Sequence, residues 1–424
     1  MSNISLKEVS ELITKGTTPS SVGCDFTAEG INFIKSESIS DSKHLNNNVY
    51  EHIDENTDNK LKRSRLKEGD LLVSIAGAYL GKIAIVQESD IPANTNQAVG
   101  IVRLNKKIVN IDYIYYYFSQ KHVNSYINKL SAQSSQPNLN LDLLGKLEFD
   151  FKDLSTQQRI ASVLSALDSK IEVNNRINTE LEAMAKTLYD YWFVQFDFPD
   201  KNGKPYKTSG GNMVWNEELK REIPEGWEVG TLGDVAELVR GVTYGSDDIK
   251  SQSASDVIPI LRATNISGNV VDLNNMVYVS KQNVSHAQLL NKYDILITMS
   301  SGSKEHIGKN GFFYYEREAS FGAFCAKIVA HAEYRYYLYS FTQSDFMFTT
   351  IKNECLGTNI NNLNGSLVKG FKLIIPPNEL INSFNVKANS VYEKLGNNLK
   401  ENQKLTELRD WLLPMLMNGQ VKLN

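Results

Sequence analysis

Cysteine is scarce in this chain. Its three, Cys24, Cys325 and Cys355, are odd in number and lack metal-ligand spacing, which excludes a disulfide framework or zinc site as the organising feature. They are read as reduced thiols in a cytoplasmic setting. The six histidines form no ligand spacing and the acids are scattered rather than paired, so no metal ligand and no catalytic residue is assigned. No apolar run approaches the length of a membrane span, and the N-terminus has no basic start followed by an apolar block; membrane placement and a signal peptide are not expected. An excess of positive charge is missing too. The net charge is -4 and the pI about 6.0, whereas an isolated DNA-binding domain is usually basic. With 22% charged and 41% hydrophobic residues, a soluble globular protein is expected.

The motifs of cofactor chemistry fail one by one. Residues 77–82, Gly-Ala-Tyr-Leu-Gly-Lys, resemble a phosphate-binding loop but have three residues between the glycines instead of four, and Ile83 sits where a magnesium-binding Ser or Thr belongs. Their counterpart, Gly302 to Gly308-Lys309, has five. The shared Gly-Lys reads as a turn feature or phosphate contact. No G-x-G-x-x-G follows a strand, and Ile375-Pro376-Pro377-Asn378 has the wrong ends for an amino-methyltransferase tetrad.

What the chain does have is an internal repeat. From Leu164, the residues Leu167, Ile171, Asn174, Asn178, Leu181 and Leu188 form a helical seam; 224 residues further on, Ala388, Val391, Leu395, Asn398, Asn402, Leu405 and Leu412 repeat it. Even the two asparagines that interrupt the apolar stripe recur. A seam of this period buries itself against another helix, and asparagines on it fix register. The expected partner for each helix is the other, packed antiparallel so that equivalent asparagines approach. Where Ala185 faces Arg409 in the alignment, the seam is expected to move to Met184 and Leu408. Ser155 to Gln158 reads as a capping box, Asn378 as a second cap with Glu379 at the positive helix end, and Pro414 as a kink or stop.

Upstream of each helix, similar blocks recur in the same order. Residues 6–13 match 232–239, 33–40 match 260–267, 69–74 match 293–298 as buried strands, and 113–118 match 334–339 as aromatic-rich helices. The fold class is therefore α/β (α+β): two similar globular domains joined by two long helices in an antiparallel coiled coil. The boundaries are 1–152 for the first domain, 153–195 for the central helix, 196–224 for a linker, 225–377 for the second domain and 378–417 for the distal helix. At about 1.5 Å per residue the central helix spans on the order of 55 Å, about one and a half turns of B-DNA.

With Trp215-Asn216-Glu217-Glu218, Ile223-Pro224-Glu225-Gly226-Trp227, the helix start at Ser155 to Ile160, residues 188–193 and the closing Leu408 to Pro414, the whole chain resembles the DNA specificity subunits of type I restriction-modification systems. The resemblance implies two target recognition domains, each reading one half of a bipartite asymmetric site in double-stranded DNA, with the helices setting the spacer. It implies as partners two methyltransferase (modification) subunits and restriction/translocase subunits, with S-adenosylmethionine, ATP and Mg held there and no cofactor in this chain. A protein-assembly scaffold with two binding domains is the alternative, favoured by the low basicity.

Base reading needs paired donors and acceptors. The candidates in the first domain are Lys35, Ser36, Tyr79, Lys82, Asn96, Gln97, Gln133, Gln136 and Asn138. Those in the second are Arg262, Thr264, Asn265, Ser301, Ser303, Lys304, Lys309, Thr358 and Asn359. Asn174, Asn178, Asn398 and Asn402 are assigned to helix register. Lys60, Lys62, Arg63, Arg65 and Lys67 form a basic cluster that serves as plain solvated surface or as a phosphate contact. The loops differ between halves, for example 136–138 against 359–361, which predicts two unlike half-sites.

Overall fold

The protein is described by a computed structural model over residues 2–131, 138–356 and 362–421. The chain forms two compact units, Met1–Glu172 with Gln403–Asn424, and Val173–Asn402. Each unit thus owns a segment of both long helices.

In the first unit, Ser10–Lys15 pairs antiparallel with Val99–Leu104, which pairs with Leu71–Ser74, and that strand forms a hairpin with Ile83–Ile85. The Leu-Leu-Val run is buried throughout because both faces are covered. Leu71 and Val73 enter a core with Tyr113, Tyr116 and Phe149, whereas Leu72 points the other way against Ile34 and Ile101. A second sheet sets Ile31–Ile34 parallel to Ala93–Thr95 and antiparallel to Glu51–Ile53. The second unit repeats this plan. Ala236–Arg240, Cys325–Ala330, Ile295–Thr298 and Asn310–Phe312 follow in the same sheet order, extended by Val270–Val271 and Ile266–Ser267. Val257–Leu261 runs parallel to Ser320–Phe321 and antiparallel to Val277–Ser280.

Four helices matter for function: α1 (Ile111–Ser119), α2 (Leu154–Tyr189), α3 (Arg335–Thr342) and α4 (Asn378–Met417). The Tyr113 hydroxyl donates to the Asp150 carbonyl, and Tyr337 donates to that of Ile374. Tyr113 therefore corresponds to Tyr337, 224 residues on, and the alignment of 113–118 with 334–339 is three residues out. A slip of three is nearly one helical turn, so the aromatic face looks the same.

Helix α2 is capped by Asp153, not by Ser155. Its carboxylate accepts the Thr156 amide at 2.9 Å and the Thr156 hydroxyl at 2.6 Å, and these bonds hold it below the usual carboxylate range. Gln157, fully buried, instead accepts from the Asn110 amide at 2.9 Å and donates to the Lys152 carbonyl at 2.7 Å, tying the start of α1 to that of α2. Asn378 is likewise not the cap: the amides of Leu380 and Ile381 bond the Pro377 carbonyl. Helix α4 runs through Pro414 to Met417. The proline removes one donor near the helix end, and the burial of Leu416 and Met417 in the first unit's core draws the last turn inward.

The asparagines meet, but crossed. Asn174 donates to Asn402 at 2.9 Å and to Glu401 at 2.8 Å, while Asn398 donates to Asn178 at 2.8 Å. Each residue pairs with its neighbour's counterpart rather than its own, as antiparallel packing of repeated seams requires. The expected shift of the seam to Met184 and Leu408 does not occur; these are 58% and 42% exposed. Ala185 stays buried, and in the first unit Arg409 keeps the seam position by bonding Asp168 at 2.9 Å. Residues 190–194 widen into a π-helical turn that buries Trp192 and Phe193 against Phe384 and Tyr337.

Within 196–224, Met213–Asn216 and Arg221–Pro224 form a hairpin. Phe198 stacks between Tyr206 and Trp227 at 4.7 and 5.1 Å. The segment is thus packed down by aromatics, which polar and glycine-rich composition does not reveal.

Candidate nucleic-acid interface

In each unit the central buried strand ends at a junction built by the same backbone bonds. In the first unit the Ile75 amide donates to the Ala98 carbonyl at 2.9 Å, the Leu139 amide to the Ile75 carbonyl at 2.9 Å, and Ala76 is bridged to Asn138. In the second, Met299 donates to Phe324 at 2.8 Å, Leu363 to Met299 at 2.7 Å, and Ser300 is bridged to Asn362. Asn138 and Asn362 occupy equivalent places and both are exposed. The counterpart of Asn138 is therefore Asn362, one residue past the stretch compared with it. The signal was the tripeptide Asn-Leu-Asn at 138–140 and 362–364, whose last residue caps a short helix in each unit.

The Gly-Lys pairs are turn features. Gly81 donates to the Ser74 carbonyl and Ser74 to that of Lys82; Gly308 and Thr298 exchange the same bonds with Thr298 and Lys309. Both glycines have positive φ, 82° and 80°. The Lys82 ammonium lies 3.0 Å from Asp41 and 5.6 Å from the Tyr79 ring centre. Lys309 lies 3.2 Å from the His306 imidazole.

The other candidates fall into distinct settings. Lys35 is half-buried, 2.6 Å from Glu51 and over the Phe26 ring, and the hydroxyl of Ser36 donates to Glu37 at 3.1 Å. Asn96 accepts the Ala98 amide at 3.0 Å, holding the turn, and exposed Gln97 accepts from Thr18. Arg262 is exposed and donates to the Asn275 carbonyl at 2.9 Å; Thr264 is also exposed. Ser301 accepts the Ser303 amide at 3.3 Å, and Ser303 is exposed. Lys304 opens the short turn Lys304–His306. Gln133, Gln136, Thr358 and Asn359 lie outside the described residues.

Asn265 is held inside a turn. It is 3% exposed, accepts the Arg262 amide, and donates to the carbonyls of Asp272 and Asn274. Both of its amide hydrogens and one lone pair of its carbonyl oxygen are engaged in the turn. In the basic cluster, Arg65 is 2.6 Å from Asp58, whereas Lys62 and Lys67 are exposed and make no ion pair among the described residues.

At the start of each central strand an equivalent, buried aspartate forms an ion pair. Asp70 bonds Arg103 at 2.7 Å and Asp294 bonds Lys327 at 2.9 Å. Each carboxylate also accepts the amide three residues before it, of Lys67 and Asn291. In the second unit burial pushes the Cys325 thiol up to about 12, leaving it un-ionised.

Each unit also has a recess between its aromatic helix and its segments of the long helices. In the second it measures ≈ 250 Å³ and is lined by Glu182, Ala185, Lys186, Tyr339 and Tyr392. Burial raises the Glu182 carboxyl above its usual value. The first unit's recess, ≈ 500 Å³, uses Tyr115, Asp168, Arg409 and Asp410.

Two similar α+β units, unlike exposed side chains on one frame, and paired asparagine-bearing helices define a class. The model of the type I restriction modification DNA specificity domain matches residues 1–183 and again 224–409. The chain belongs to that family and is a type I restriction-modification DNA specificity subunit. It is 27% identical over 425 residues to the MjaIX specificity subunit of Methanocaldococcus jannaschii, covering 98% of this chain and 92% of the relative. It is 24% identical over 422 residues to the HindI specificity subunit of Haemophilus influenzae, covering 85% and 88%. The fold is similar to that of a type I restriction-modification S subunit from M. genitalium, with a TM-score of 0.58, 16% identity, and coverage of 98% of this chain and 95% of the other.

Proposed function

We propose that each unit reads one half of a bipartite, asymmetric DNA site through the side chains displayed at its strand-end junction, and that the long helices set the spacer between half-sites. The observation that carries this reading is the shared junction: the same backbone bonds recur in both units while the residues they present differ, Ala98 against Phe324 and Ala76 against Ser300. A constant frame with different side chains suits two different sequences.

Two methyltransferase subunits dock on the helices, with a restriction subunit completing the complex. The exposed apolar pair Met184 and Leu408, one repeat apart on α2 and α4, supports a docking role, because such side chains gain by burial. S-adenosylmethionine, ATP and Mg belong to these partners. Partner subunits also supply phosphate contacts, beside those that exposed Lys62 and Lys67 can make in a chain whose net charge is -4.

Methylation sequencing of host DNA, with and without this chain and with its methyltransferase co-expressed, tests the reading. Loss of one bipartite adenine-methylated motif on deletion is the expected result; no change points to the scaffold. Arg262→Ala is expected to weaken or relax the second half-site by roughly 1–3 kcal/mol and leave the first unaffected. An unchanged methylated motif removes Arg262 from the contacts. Lengthening α2 and its paired stretch of α4 by four residues each, about one turn, is expected to change the accepted spacer, and an identical spacer preference counts against the ruler.

A further inference from the structure

Phe324 is 70% exposed, more than any other described aromatic side chain. A phenylalanine left in water forgoes the gain of burying its ring. Its backbone is nevertheless fixed. The Phe324 carbonyl accepts the amides of Met299 at 2.8 Å and Ser300 at 3.1 Å, the Ala323 amide bonds the Val242 carbonyl at 2.9 Å, and the Cys325 amide bonds Gly322 at 2.8 Å. The ring thus projects from a pinned turn, and Ser300 beside it is bridged to exposed Asn362.

We infer that Phe324 is a specificity-determining residue that reads a thymine in the second half-site by apolar contact with its C5-methyl group. This rests on the DNA-reading function proposed above. Thymine is the one base whose major-groove edge carries a methyl group, and an apolar probe set among hydrogen-bonding side chains matches that edge. The ring's fixed base removes much of the ordering cost of binding. The equivalent residue in the first unit is Ala98, whose carbonyl accepts the Ile75 amide in the same way. A single methyl group there ends close to the backbone, so the two units differ in apolar reach at one shared position.

The test uses the complex of this chain with its methyltransferase and duplexes carrying the motif defined by methylation sequencing. Deoxyuridine replaces each thymine of the second half-site in turn, removing only the methyl group. The native complex is expected to lose affinity about tenfold at one position, the scale of one lost base contact. Phe324→Ala is expected to bind the thymine and uracil duplexes alike, at that weakened level, with first-half-site discrimination intact. Its unfolding midpoint should match the native one, since the ring is exposed. Unchanged affinity of Phe324→Ala, a loss that is the same at every position with thymine or uracil, or a second half-site without a T·A pair overturns the inference. A native complex that methylates no bipartite motif fails the underlying reading instead, and that result precedes any variant.

Discussion

Replacing Asp294 by alanine is expected to destabilise the second unit by about 3–5 kcal/mol, the scale of an orphaned buried charge. Asp294 and Lys327 are each 4% exposed, and the carboxylate holds both the ammonium at 2.9 Å and the Asn291 amide at 2.9 Å. Without it, Lys327 keeps only the Leu289 carbonyl at 2.6 Å. The double substitution Asp294→Ala with Lys327→Met is expected to recover most of that loss, because it removes the unpaired charge while keeping an apolar stem. Urea unfolding of the native protein, the two single variants Asp294→Ala and Lys327→Met, and the double variant measures the coupling. A single substitution costing under about 1 kcal/mol, the range of exposed pairs, would sink the claim. Asp70→Ala is expected to cost less, since the Arg103 side chain is 20% exposed and its guanidinium can turn to water.

The second large effect lies in the helices. Asn398→Leu is expected to cost about 1–3 kcal/mol, because it strips the partner from a buried polar group. Asn178 is the group left behind; its amide nitrogen is already buried without a partner, so its carbonyl bond to Asn398 is its remaining tie. Replacing Asn178 and Asn398 together removes both members of one pair and is expected to be near neutral or stabilising in unfolding, with looser spacer discrimination in methylation assays. Asn174→Leu with Asn398→Leu cuts one member from each crossed pair and is expected to cost more than Asn398→Leu alone, by a smaller increment because half-buried Asn402 still donates to Asn175 at 2.7 Å. Equal costs for the two double variants would refute the crossed pairing.

The repeat was legible because its signal is local. Two asparagines in an apolar seam are informative wherever the helices go, and a Leu-Leu-Val run after a charged turn reads as a strand buried on both faces. Features decided by distant partners were not. Arg409 holds its seam position through Asp168, 241 residues away, so the alignment with Ala185 suggested a shift that does not happen. Ser155 carries the better capping pattern, yet Asp153 takes the cap while Gln157 is claimed by Asn110. The aromatic helices were misaligned because helical periodicity cannot distinguish registers one turn apart. In the candidate interface, residue type picked out Asn138 and Arg262, which are exposed, and equally Asn265, which is buried in its own turn. It passed over Phe324, since an apolar residue is notable only once its exposure is known.

Leu416 and Met417 are packed in the core that contains Leu6, Val9 and Leu164. The first unit to be synthesised therefore lacks part of its interior until the last turn of α4 has left the ribosome, whereas the second unit is complete by residue 402. The two cores are therefore completed in the reverse of the order in which the units begin, the first receiving its last two buried side chains some 250 positions after Leu164.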